Sequence, residues 1–164
     1  MKTSLLKLLI SPLLLLGAAA CEKESAGPEV VPEFYVRAQK NDQAWVVEGT
    51  GVYERATKKF YVFGYQSQPE AYLRLHFDAP TQSPAGPAEA GWSDLVGGDV
   101  LVNSYSSTGV AELPSVEITQ LDTVQRIVEG RFQTTLRRDQ RWSQQGELLQ
   151  FRNGSFRVRY TIPR

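Results

Sequence analysis

The chain is predicted to fold as an all-β protein, an antiparallel β-sandwich or closed β-barrel of about eight to ten strands. Three observations predict this. From Glu33 onward apolar side chains recur mainly at every second residue, the period of a strand with one face inside and one outside. Turn-forming pairs such as Asn41-Asp42 divide the alternating runs. Nowhere beyond Glu33 do apolar residues keep the three- and four-residue spacing that a long amphipathic helix requires.

Taken in order, "FYVRAQK" sets Phe34, Val36 and Ala38 against Tyr35, Arg37 and Gln39, and Asn41-Asp42 turns the chain into "QAWVVEG". The next run, "KFYVFGYQ", is aromatic on both faces, which predicts a strand covered on both. "AYLRLHFD" sets Leu73, Leu75 and Phe77 against Tyr72, Arg74 and His76. Residues 78–98 hold three prolines, four alanines and four glycines, and are expected to form a long loop. Long loops in compact domains are commonly functional, so a site is sought there first. "DVLVNSY" resumes as a strand, and "GVAELPSVEITQLD" contains another, begun or broken at Pro114.

The last third alternates most clearly. "VQRIVEGRFQTTLRR" places Val124, Val128, Phe132 and Leu136 on one face and Glu129, Arg131, Gln133, Thr135 and Arg137 on the other, with Ile127 the apolar exception. Gly130 inside that run suggests a bulge or a sharp bend. "GELLQFRNGSFRVRYTIP" reads as a hairpin about Asn153-Gly154, a pair suited to a type I′ turn. Its second arm carries Phe156, Val158, Tyr160 and Ile162 on one apolar face.

The beginning of the chain follows different rules. Lys2 and Lys7 precede an apolar stretch from Leu5 to Leu16, and small residues then lead to Cys21, the single cysteine. This is the pattern of a signal peptide over residues 1–20. The stretch is short for a membrane span, which needs about 20 apolar residues, and Pro12 interrupts it. Ala18-Ala19-Ala20-Cys21 resembles a bacterial lipobox, with Ala18 where the usual pattern prefers Leu. That resemblance implies cleavage before Cys21 and acyl chains, palmitate among them, on Cys21. Several chains hold a protein to a bilayer, since each buried methylene contributes about 0.8 kcal/mol. Residues 21–32 then form the lipidated cysteine and a flexible tether, and residues 33–164 a single all-β domain. With no cysteine beyond Cys21, that domain must hold together by packing alone.

Without Lys2 and Lys7 the chain carries 16 basic and 18 acidic side chains, a net of −2, which argues against nucleic acid as a general partner. The balance is uneven, because residues 121–164 hold 9 arginines and only 4 acids. Most of these arginines alternate with apolar residues, as on the wet face of a sheet. The same pattern would also suit a basic face for an anionic glycan or a lipid headgroup.

Chemistry-bearing motifs are sparse. His76 is the only histidine and sits on the polar face of its strand, so neither a multi-histidine zinc site nor a triad of histidines fits one copy. No Gly-x-Ser-x-Gly elbow and no phosphate-cradling Gly-rich loop with lysine is present. Glu89, Asp94 and Asp99 are candidates for a carboxylate pair or for oxygen ligands to Ca²⁺, although their spacing matches no calcium loop. Trp92, with Asp94, Asp99 and Asn103, is the candidate ligand-binding set: an indole face for a sugar, with carboxylates and an amide to bond its hydroxyls. Trp92 would serve equally well as a plug at the end of a barrel. Trp45 and Trp142 read as sheet or rim packing.

Three stretches, "AQKNDQAW", "ITQLDTVQRIVEGRF" and "FRNGSFRVRY", resemble a family of uncharacterised Bacteroidota lipoproteins with a small β-domain behind a lipobox. The shared features are Trp45 after a strand and turn, Leu121-Asp122, Val128, Gly130, Phe132, and Asn153-Gly154 before Phe156, with Arg131 where the family often has a small hydroxyl residue. The resemblance implies an envelope location and transfers no catalytic residue. The expectation is therefore a non-catalytic lipoprotein of the bacterial outer membrane, on its periplasmic side or at the cell surface. It would bind or scaffold a glycan or an envelope protein, without cofactor or metal. Two alternatives are a lipocalin-like carrier of a small ligand and a small carboxylate-dependent hydrolase.

Overall fold

The computed structural model describes residues 31–80, 88–139 and 146–164. The leader, Cys21, most of the tether, and Trp142 lie outside the described residues. Nine strands account for most of the rest: β1 (Tyr35–Lys40), β2 (Gln43–Glu54), β3 (Lys59–Ser67), β4 (Glu70–Asp78), β5 (Glu89–Val96), β6 (Val100–Ser106), β7 (Ser115–Asp122), β8 (Ile127–Arg138) and β9 (Leu148–Thr161). No helix occurs among the described residues. The all-β architecture read from the alternation is the one observed.

The strand pairings run in a ring. Each of β1 to β5 pairs antiparallel with the next. β6 then meets the end of β8 at Tyr105↔Arg138 and Ser106↔Arg137, β8 pairs along its length with β9, and β9 returns to β1. β7 occupies the rest of the β8 edge that β6 leaves free. Where β1 runs out, β9 touches β2 directly in a parallel pairing at Gly51↔Tyr160.

Inside the ring the alternation becomes a core. Val36, Val62, Leu73, Leu75, Val128, Leu136, Phe151, Phe156 and Val158 are almost wholly buried. At one end Trp45, Trp92 and Phe151 meet with ring centroids 5.4–5.6 Å apart. At the other, Phe60 packs on Phe77, Tyr53 and Tyr160. Such pairs contribute about 0.5–1.5 kcal/mol each beyond their burial.

Several local expectations are corrected. Residues 78–98 are not one long loop, because β5 occupies Glu89–Val96 and sends Ala90 and Trp92 inward. Glycine and alanine hid it: Gly91 stands at an outward position, and the small inward Ala90 does not look like core. Asn153-Gly154 does not turn a hairpin. It lies within β9 as a bulge, where the register shifts against both β8 and β1, and Asn153 takes a φ of 51°. Gly154 is needed there because a Cβ would lie 2.5 Å from the Phe132 ring. A hairpin would have paired residues 148–152 with 155–161, whereas β8 and β1 claim both edges of the continuous strand.

Gly130 itself is regularly paired, and the bulge beside it lies in β7, between Ile118 and Gln120. Val124 does not join the face of β8. It is 91% exposed in the β7–β8 turn, where its amide and that of Gln125 donate to Asp122 Oδ1. Finally, β3 is covered on one face only. Phe60 and Val62 point into the core, while Tyr61 and Phe63 are half-buried outside and Tyr65 is exposed.

A Cβ on Gly130 would lie 2.4 Å from the Phe156 ring and 2.5 Å from the Glu117 carbonyl oxygen, which is backbone and cannot swing away. Gly130→Ala is expected to lower unfolding stability by about 1–3 kcal/mol through overpacking. Urea denaturation followed by circular dichroism measures it, and an unchanged midpoint would show that β7 yields freely.

Candidate recognition surface

The four residues singled out from the sequence do not gather around an open cleft. Trp92 is 2% exposed, with its indole among Trp45, Phe151 and the end of β1. Its Nε1 donates to Asp94 Oδ1 at 2.6 Å, and Asn103, 1% exposed, donates from Nδ2 to Asp94 Oδ2 at 3.0 Å. Asp94 and Asn103 are cross-strand partners on β5 and β6, so the pairing register brings the three together. The carboxylate thus satisfies an indole and an amide that burial would otherwise leave wanting. Asp99 stands apart, exposed in the β5–β6 turn, where Gly97 and Gly98 take φ of 65° and 82°.

The same geometry separates the candidate acids. Glu89 lies at the far end of β5, about 16 Å along the strand from Asp94, and its Oε2 is 3.5 Å from His76 Nδ1 on the outer face. Asp94 is already spent on Trp92 and Asn103. These two carboxylates do not converge. Among the described residues no group of three or more His, Cys, Asp or Glu side chains is placed to hold a metal ion.

Lys40, the last residue of β1, closes this end of the ring. Its Nζ lies 3.6 Å from the centroid of the Trp92 ring, within cation–π range. Burial lowers its pKa from 10.5, and the negative charge of Asp94 partly opposes that shift. Nothing in the alternation marks this cap, since Lys40 ends a run in which it looks like a surface residue.

The open chemistry lies elsewhere, on the outer face of β3 and β4. Tyr61, Phe63 and Tyr65 alternate along β3, and their cross-strand partners on β4 are His76, Arg74 and Tyr72. The Tyr61 ring stacks on His76 at 4.5 Å and 8°. Phe63 and Tyr65 stack at 6.0 Å, and Tyr65 lies 6.1 Å from Tyr72. Tyr65 is 49% exposed. Arg74 has room to lean over Gly91 of β5, where a Cβ would lie 3.8 Å from its Nη2. The result is a shelf of aromatic rings bordered by polar groups, among them Glu54, which accepts from the Tyr61 hydroxyl at 3.3 Å. The signal is present in "KFYVFGYQ", whose second aromatic face mimics a buried one.

No protein family, curated protein or solved structure matches this chain.

The Lys40 environment carries a pH signature. Because its folded pKa lies below 10.5, the unfolded chain binds more protons between the two values, and stability rises with pH across that window. Lys40→Met removes this contribution. Relative to Lys40→Met, the native chain is therefore expected to gain stability as pH rises toward 10.5 from below. Urea midpoints of both proteins across that range measure it. A constant difference, or one moving against the native chain, would contradict the buried-cation account.

Proposed function

We propose that this protein is a non-catalytic lipoprotein of the bacterial outer membrane that recognises a glycan on the outer face of β3 and β4. The observation that carries this reading is the contrast between a ring interior filled with side chains and a shelf of tyrosine and phenylalanine rings left on its outside. A tyrosine has an apolar face and a polar edge, which complements a pyranose with C–H bonds on its face and hydroxyls around its rim. Alternate residues of a strand advance by roughly 6.6 Å, so Tyr61, Phe63 and Tyr65 span roughly 13 Å. That length suits two or three sugar units. Arg74 and Glu54 stand at the border as hydrogen-bonding groups. The packed interior offers no comparable support for carriage of a small ligand, and the separation of Glu89 from Asp94 gives none for hydrolysis.

The anchor belongs to the same proposal. The lipobox-like Ala18-Ala19-Ala20-Cys21 supports acyl chains on Cys21 and a tether holding the domain off the bilayer. The resemblance to uncharacterised Bacteroidota lipoproteins supports the envelope as its place.

Two experiments test the two halves. Tyr65→Ala with Tyr72→Ala is expected to weaken retention on immobilised neutral oligosaccharides at least about tenfold. As Tyr65 is exposed and Tyr72 half-buried, melting should stay close to that of the native chain. Equal retention of the double variant, or no retention of either protein by any glycan of a broad panel, would overturn glycan recognition at this face. Separately, Cys21→Ala should move the protein out of the membrane fraction, and its continued membrane retention would overturn the lipid anchor.

A further inference from the structure

Across the ring from the aromatic shelf, four strands place one row of outward side chains side by side. Arg37 on β1 pairs with Ser155 on β9, Ser155 with Arg131 on β8, and Arg131 with Glu117 on β7. The row is uneven in height. Ser155, with its short side chain, forms a low floor between two long guanidinium side chains, and the backbone of Gly154 lies beside it. A cleft of about 470 Å³ results, with Asn153, Ser115 and Gln133 also on its walls.

These two arginines differ from several of their neighbours in ionic state. Arg157 is paired with Glu129, Arg152 with Asp42, and Arg137 and Arg138 with Glu147. Arg37 and Arg131 have no carboxylate within 4.0 Å among the described residues. Arg37 is instead oriented by two neighbours. Its Nε donates to Ser155 Oγ at 2.8 Å, and its guanidinium lies 5.1 Å from the Tyr35 ring centroid. That leaves its terminal nitrogens available as donors. Glu117 is the opposing charge on the wall, and it makes no ion pair with the arginine across from it.

We propose that this cleft binds a phosphate ester, with Arg37 and Arg131 gripping its oxygens from opposite sides over the Ser155 floor. Guanidinium groups are suited to tetrahedral oxyanions because their planar fork offers two parallel N–H donors, and these charge-assisted bonds are about twice as strong as neutral ones. The small floor gives the anion depth that a flat arginine-rich strand would lack. Glu117 lowers the affinity while unoccupied space remains beside it, and so sets the cleft for a moderately charged group. The site is independent of the aromatic shelf and stands whether or not that face binds sugar.

The test follows arginine Nε–H resonances of the full chain in neutral detergent micelles during titration with inorganic phosphate. Saturable shifts confined to Arg37 and Arg131 are expected. Arg37→Gln and Arg131→Gln should each weaken binding about tenfold, and Glu117→Gln should tighten it several-fold. Both arginines are outward on the sheet, so melting of these variants should remain near that of the native chain. Competition then distinguishes the source of the phosphate. Stronger displacement by monomeric dihexanoyl phosphatidylglycerol than by glucose 6-phosphate assigns a lipid headgroup, and the reverse order assigns a phosphorylated sugar. Phosphate binding that is absent, or unchanged in Arg131→Gln and Arg37→Gln, would overturn the proposal.

Discussion

Closure of the ring depends on β9. It is the longest strand, and it pairs with β8 on one edge and β1 on the other. Take it away and the sheet opens on both sides, because β6 and β8 are joined by only two residue pairs. Over its 14 residues the register of this strand shifts against both neighbours. The shift falls at the Asn153-Gly154 bulge, and such bulges bend a strand and increase its local twist. Gly154 also admits the Phe132 ring against the backbone. One glycine therefore serves both closure and core packing.

Closure has a consequence for function. Once the eight strands meet, the inward positions face one another across a narrow space, and an eight-stranded barrel has an interior that side chains just fill unless they are small. Here they are large. Trp45, Trp92 and Phe151 occupy one end and Phe60, Phe77 and Tyr160 the other. The polar atoms that the indoles bring inside are answered locally: Trp92 by Asp94, and Trp45 by Gln66 Oε1 at 2.8 Å. Residues that looked like a binding constellation are thus the means by which a large aromatic is buried without an unsatisfied donor. The recognition proposed for this protein would fall to the outside of the sheet, where the aromatic shelf and the arginine row lie on opposite sides.

Much of the fold was legible because period-two alternation survives wherever both faces carry distinctive residues, as in Val36 to Gln39, Leu73 to Phe77 and Phe156 to Tyr160. It failed where side chains were small or two-faced. Ala90 and Gly91 disguised β5 as loop, and the aromatic outer face of β3 mimicked burial. Asn153-Gly154 failed for another reason. The pair favours φ > 0 at Asn, and Asn153 does take it, but a local preference for a turn cannot tell a hairpin from a bulge in a strand whose partners are distant in sequence. The candidate site was legible as composition only. Trp92, Asp94 and Asn103 do come together, yet their burial depends on the β5–β6 register and on Lys40, neither of which one strand's pattern specifies.

The central claim is that the ring is filled by its own side chains, and the tryptophans report on it directly. With Trp142→Phe in place, only Trp45 and Trp92 remain of the three tryptophans. Acrylamide quenching of their fluorescence then measures access to the interior. The account predicts quenching far below that of the urea-unfolded chain, with a blue-shifted emission. Quenching close to the unfolded value would show an interior open to solvent, and would return the ring to the role of a container.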